Sequence, residues 1–338
     1  MASPKYLATG MSAALLACVL GSSPVPVSAQ SVEGEVITLV SPNSAGGMMT
    51  RYARMIAPYI AKYSGARDVR IRVMTGGGGI RGTNYVWFSE PDGRTIAFTS
   101  IPSLILAQLA GSEAAQFDAT ELTYLGRAAT EPRVLTVGAT SAIMTIADAR
   151  SLNRQFIFPS QGTDEDFYSM AVLSNALDIE LKVVSGYDGN ADTALAVIKG
   201  DGDGHITGWS ASIAVIEAGD ERPILTLSRE RIADYPDIPT ATELVSGESR
   251  EAVEAIVNML DMRRGFFGPP GMDPQAMSEL RTAISAAFQD PDLIAESMTA
   301  GLPLLPSDGL SEQAKIDQIT VASQNLVPIL RSALDAIR

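Results

Sequence analysis

ITLVSPNSAGGMMTRYAR, residues 37–54, holds the pattern that decides the fold. Its first residues are apolar and β-prone, Pro42 stops them, and 43–47 is a loop of small residues. From Met49 onward apolar residues recur at helical spacing. Strand, glycine-containing loop and helix in that order are the opening unit of an α/β sheet. The alternation continues outward. Strands are expected at 36–40, 69–74, 95–99, 124–128 and 134–137, then at 156–158, 182–184, 205–207, 224–227 and 265–267. Helices are expected over 49–63, 82–89, 145–152, 165–177, 190–199 and 211–218. The C-terminal part reads as helical over 249–260, 274–288, 291–299 and 311–337.

A chain of 338 residues exceeds the usual single domain of about 100–200, so two lobes are expected. Charged residues are 19% and hydrophobic ones 46%, a composition with ample material for a core. The net charge of −14 repels phosphate backbones and anionic lipid, which argues against nucleic-acid partners. It also opposes any anionic ligand. An anion site here must rest on local donors, chiefly backbone N–H groups and helix N-termini.

Lys5, the apolar run MSAALLACVL at 11–20 and the small-residue site Val27-Ser28-Ala29 form a secretory leader, with cleavage expected after Ala29. The run is shorter than the roughly 20 residues a bilayer span needs. A periplasmic, soluble protein follows. Cys18 is the only cysteine. Lipid anchoring at Cys18 is the alternative, and cleavage near Ala29 is preferred because the apolar run continues past the cysteine. The mature chain has no thiol for a disulfide or a metal.

Five ordered segments carry a family resemblance. Residues 37–54 resemble a strand, P-x-x-x-G-G loop and helix; 75–95 (TGGGGIRGTNYVWFSEPDGRT) resemble a Gly-rich turn, helix and P-D-G turn. Residues 185–203 (SGYDGNADTALAVIKGDGD) resemble a G-Y-x-G helix start, and YPDIPTATE at 235–243 and FFGPPGM at 266–272 match two late markers. On these the chain is similar to the substrate-binding proteins of tripartite tricarboxylate transporters, the Bug family. The resemblance implies a two-lobed periplasmic-binding-protein (flytrap) fold. Each lobe is expected to be a mainly parallel sheet flanked by helices, with the ligand cleft between them. With the crossovers placed near 132 and 224, it divides the chain into leader 1–29, first lobe 30–131 and 225–338, and second lobe 132–224. It implies capture of a small carboxylate for a membrane permease of the tripartite type, by a monomer. A sensory receptor of the same fold, not coupled to transport, is the alternative.

The resemblance places the ligand loops at Asn43, Ser44, Ala45, Gly46, Gly47, Met48, Met49 and Thr50, at Ser160, Gln161, Gly162, Thr163 and Asp164, and at Trp209 and Ser210. The physical chemistry of the first loop agrees. Glycine lets backbone approach a ligand closely, and the helix start behind it offers unpaired N–H groups. Two departures stand out: Thr50 replaces a common Asp, and Asp164, Glu165 and Asp166 replace neutral residues. The three acids either cap the next helix or meet a donor on the ligand. Trp209 either stacks on a flat ligand or packs between lobes. Tyr187 is read as part of a helix cap, and Arg263 and Arg264 as a hinge or surface ion pair.

Other chemistry is poorly supported. Gly77, Gly79 and Gly82 fit G-x-G-x-x-G, but the first strand-to-helix loop carries a different sequence and Asp92 lies in a turn. No nicotinamide cofactor is expected. Around Ser210 the G-x-S-x-G pattern ends in Ser212, and His205 is the only histidine. Asp201, Asp203 and His205 lack the later ligands of a calcium loop and read as a turn into a strand. No catalytic residue, metal or cofactor is assigned.

Overall fold

The computed structural model describes residues 1–2 and 31–337. The leader and Cys18 lie outside the described residues. Among the described residues no helix is long and apolar enough to cross a membrane.

The first sheet is built around β1 (Val36–Ser41), which pairs in parallel with β2 (Asp68–Val73) on one side and β3 (Thr95–Thr99) on the other. Beyond β3 the late strand β10 (Gly265–Gly268) runs antiparallel, followed by β4 (Thr123–Arg127) and the short edge β11 (Ser307–Asp308). Alternation at period 2 lets the sheet bury both faces. Ile37, Leu39, Ile96, Phe98 and Phe266 share one core cluster, whereas Val40, Ala97 and Phe267 share another. Phe98 and Phe266 stand 4.4 Å apart across β3 and β10. Fully burying such a side chain contributes about 1.5–3 kcal/mol.

The second region holds β5 (Arg133–Gly138) between β8 (Gly204–Gly208) and β9 (Glu221–Leu227), and a separate pair β6 (Phe156–Ser160) and β7 (Leu181–Ser185). Here a mainly parallel sheet was the wrong expectation. β5 is antiparallel to both neighbours, and only β6 and β7 run in parallel. Alternating strands and helices fit parallel neighbours, but β5 and β9 carry the chain into and out of this region. Entering and leaving at one edge makes them run in opposite directions.

Helices fill the layers. α1 (Met48–Ser64), α2 (Ile80–Trp87), α4 (Ile146–Arg150), α6 (Asn190–Lys199), α7 (Trp209–Glu217), α8 (Gly247–Leu260), α9 (Pro274–Ala287) and α10 (Pro291–Thr299) lie within a few residues of expectation. α3 (Ile101–Leu109) was not anticipated, because every residue of it except Gln108 is buried and no amphipathic stripe exists to be seen. The stretch 311–337 is two helices, α11 (Gly309–Ala322) and α12 (Val327–Asp335), separated by a tight turn over Gln324–Leu326. α5 (Glu165–Ala176) is buried over its first nine residues, between the second-region sheets and α3, α8 and α12.

Candidate ligand-binding site

Loops from the first sheet and from the β6–β7 pair meet at the carboxyl ends of their strands, the place where open α/β sheets bind ligands. The loop at 42–47 is held from behind. Thr50, fully buried, accepts or donates at 2.7 Å with Ser41 Oγ and donates to Ser44 O at 2.8 Å. Asn43 Oδ1 accepts from Thr99 Oγ1 at 3.0 Å. Arg54 donates to Ala45 O at 2.6 Å. Ala45 and Gly46 are exposed and Gly47 and Met48 half-buried, so the rim of the loop is accessible. Met49 lies 6% exposed in the core and Thr50 is spent on the loop, so these two support the rim from within.

Two contacts cross between the sheets. The glycine turn at 77–79 lies against the loop before α5: a Cβ at Gly78 would stand 2.6 Å from Thr163 O and 2.9 Å from the Asp164 nitrogen. With φ of +64°, Gly78 is also in the left-handed region. Farther along, a Cβ at Gly189 would be 3.5 Å from Ser44 Oγ, so the start of α6 faces the first loop. Sequence reading missed both glycines as site elements. Their signal was the G-Y-x-G run, read as a helix start, and the G-G-G-G run, read as a turn.

The remaining expected residues are ordered by local bonds. Ser160 Oγ donates to Gly162 O at 2.8 Å and accepts from the Gly162 nitrogen at 3.2 Å. Gln161 donates to Asn190 Oδ1, and Asn190 Nδ2 in turn donates to Thr207 Oγ1 at 2.8 Å. Tyr187 N donates to Ser160 O at 3.3 Å, tying the two loops of the second region together. Trp209 packs edge-on against Tyr235, ring centroids 4.9 Å apart, which favours packing over an open stacking platform.

The acids at 164–166 turn inward. Asp164 caps α5, accepting from the Asp166 and Phe167 nitrogens at 3.1 Å each. Glu165 accepts from Arg263 Nε at 3.1 Å and from Ser103 Oγ, and its own nitrogen donates to Ser103 Oγ at 3.1 Å. Asp166 pairs with Arg133. Glu131 pairs with Arg264 and lies 3.7 Å from Arg263, and its Oε2 accepts from the Ser210 nitrogen at 2.8 Å. Arg263 and Arg264 are therefore buried members of a charge cluster where the chain passes between sheets, and not surface residues.

The field inside this cluster is uneven. Burial and the neighbouring Glu165 charge push Asp164 up to about 7. Burial alone would raise Glu165 as well, but Arg263, Arg133 and the Ser103 bond outweigh it and hold it near 2. Glu131 is likewise desolvated, yet Arg264 and Arg263 hold it down to about 2. Burial and the Arg263 charge lower Arg133 to about 9, which still leaves it cationic at neutral pH.

His205 is buried, with Nδ1 bonded to Thr193 Oγ1 at 2.9 Å and Nε2 bonded to Glu221 at 3.1 Å. Both ring nitrogens are occupied, so it has none to offer Ser210. Among the described residues no group of three His, Cys, Asp or Glu could hold a metal. A hollow of about 640 Å³ beside Arg81, Tyr85, Phe88 and Arg94 lies toward the opposite end of β3, away from the meeting of the loops.

A family model described as the tripartite tricarboxylate transporter family receptor matches residues 52–314. A UPF0065 protein of Bordetella bronchiseptica is 23% identical over 298 residues, 85% of this chain and 83% of that one. Among solved structures, MatC from Rhodopseudomonas palustris with bound malate superposes with a TM-score of 0.71. It is 19% identical, and the match covers 86% of this chain and 99% of that one. A second R. palustris protein, Rpa4515 with adipate, gives 0.71 at 20% identity, covering 88% of this chain and 97% of that one.

Proposed function

The chain belongs to the tripartite tricarboxylate transporter receptor family, and from that premise we propose that it is a periplasmic solute-binding protein delivering a small carboxylate to a tripartite-type membrane permease. The single observation that carries this reading is the meeting of loops from both sheets at Gly78–Thr163 and Ser44–Gly189. A ligand enclosed there touches both lobes and so links binding to closure. The lobes divide at residues 131/132 and 224/225, and the leader at 1–29 exports the chain. The protein acts as a monomer and performs no catalysis.

In this reading Asn43, Ser44, Ala45, Gly46, Gly47 and Met48 form the first wall, with the Gly47 nitrogen spent on Ser44 O at 3.0 Å, which closes the turn. The start of α1 has no side-chain cap and no acid in its first turn, so its positive end is available to a carboxylate. Ser160, Gln161, Gly162, Thr163 and Asp164 form the second wall, and Trp209 and Ser210 the floor. Malate and adipate are bound by the structural relatives named above, and their chemistry supports a carboxylate here.

A thermal-shift screen of residues 30–338 against mono-, di- and tricarboxylates, aromatic acids and neutral sugars tests the reading. A ligand at 100 times its Kd adds about 2.7 kcal/mol of stability, a readily visible shift. Response to acids and not to sugars is expected. A response confined to neutral or cationic compounds would overturn it.

A further inference from the structure

The helix starts around the cleft differ by sheet. α1, α2 and α3 begin on the first-sheet side, and none has a side-chain cap or an acid in its first turn. On the second-region side every start is already supplied with negative charge. Asp164 caps α5 and is followed by Glu165 and Asp166; α6 carries Asp192 in its first turn; Glu131 accepts from the Ser210 nitrogen at the start of α7. The α7 position is filled so closely that a Cβ on Gly208 would stand 2.2 Å from Glu131 Oε1.

A second observation singles out one donor on the open side. Ser100 immediately precedes α3, is 2% exposed, and its hydroxyl has no hydrogen-bond partner. Its neighbour Thr99 bonds Asn43 of the first loop, so Ser100 sits beside that loop at the end of β3. A buried hydroxyl without a partner costs about 1–3 kcal/mol, a cost that a bound carboxylate would remove.

We propose, on the reading above that this cleft takes a carboxylate, that the ligand is a monocarboxylate: its one carboxylate rests between the starts of α1 and α3 with Ser100 as a donor, and its far end is uncharged. A second carboxylate directed at α5 would find the helix nitrogens of Glu165, Asp166 and Phe167 already occupied. It would also come up against the capping carboxylate of Asp164 at that helix start, and like charges juxtaposed in a complex are strongly unfavourable. Burial and Glu165 push Asp164 up despite Arg133 and Arg263, because those two arginines are already paired with Asp166 and Glu165. An amide or hydroxyl at the far end would instead donate to Asp164 or to the carbonyl of Thr163.

Matched acids test this by calorimetric titration: butyrate, succinamate and succinate; hexanoate, adipamate and adipate; benzoate, 4-carbamoylbenzoate and terephthalate. The expected result is that within the best-binding set a monocarboxylate binds about tenfold or more tightly than the dicarboxylate. Ser100→Ala should weaken that monocarboxylate about tenfold. Asp164→Asn, which keeps the cap, should bring the dicarboxylate closer to it. A dicarboxylate binding as tightly as its monocarboxylates would overturn this inference while leaving the carboxylate receptor standing. An unchanged affinity in Ser100→Ala would remove Ser100 from the site. No heat with any of the nine acids would overturn both.

Discussion

Replacing Glu165 by Gln removes one charge from the buried cluster without changing side-chain size. Glu165 is 6% exposed and faces Arg263 at 3.1 Å, so its interactions are little screened. Its fall from the ordinary 4.5 to about 2 corresponds to about 3 kcal/mol favouring the ionised form. The sign is that of a lowered acid: the stabilisation is complete above the unfolded value of 4.5 and is lost as pH falls through about 2. Asp164 complicates the sum, because Glu165 is one reason it is raised. At pH 5.5 Asp164 is protonated and gains nothing when Glu165 is neutralised, so the full cost of about 3 kcal/mol appears. At pH 8 Asp164 is ionised, loses a repulsive neighbour, and offsets part of the cost. Urea unfolding followed by tryptophan fluorescence at both pH values is the assay. With a slope of about 3 kcal/mol per molar, the midpoint should fall by about 1 M at pH 5.5 and by less at pH 8. A fall below about 0.3 M at pH 5.5, or a larger one at pH 8, would refute the picture of Glu165 as the counter-charge to Arg263.

Asp164→Asn should flatten the pH dependence of stability between pH 5.5 and 8. A raised acid stabilises fully below its unfolded value of 3.8 and loses that contribution as pH rises through about 7, and Asn caps a helix about as well; identical pH slopes in the two proteins would contradict this. Gly78→Ala places a Cβ 2.6 Å from the Thr163 carbonyl, a backbone atom that cannot rotate away. It should force the two sheets apart, weakening the best-binding acid about tenfold and raising the radius of gyration of the bound form in solution scattering. Unchanged affinity would show that this contact is not part of closure. Gly208→Ala drives a methyl into Glu131, which is pinned by Arg264 and the Ser210 nitrogen and cannot retreat; chemical denaturation should show a loss of about 2–4 kcal/mol.

The parts of this protein legible in its sequence are those with a local signal. β1, the 42–47 loop and α1 follow from a strand run, Pro42, paired glycines and a helical stripe, and the Asp164 cap follows from an acid before a helix. What stayed hidden is long-range. α3 is apolar on every side because it is surrounded, and periodicity is silent on such helices. Burial of Glu131, Arg133, Arg263 and Arg264 depends on segments more than 120 residues apart meeting at one point, and each arginine alone reads as a surface charge. The direction of β5 was hidden too, since strand runs carry no record of their partners.

β10 stands between β3 and β4, so the first sheet has no continuous hydrogen-bonded ladder until residues 265–268 exist. A ribosome that has made the first 260 residues has made β1, β2 and β3 as one ribbon and β4 as a strand without its neighbour. Each of those pieces leaves apolar edges and faces that only a segment near the end of translation can cover. Pairings of such long sequence separation form slowly. The order in which the strands are synthesised thus delays folding until most of the chain is free. A polypeptide that has to be threaded through a narrow channel before it folds gains time from that delay, written into the topology and not into any signal.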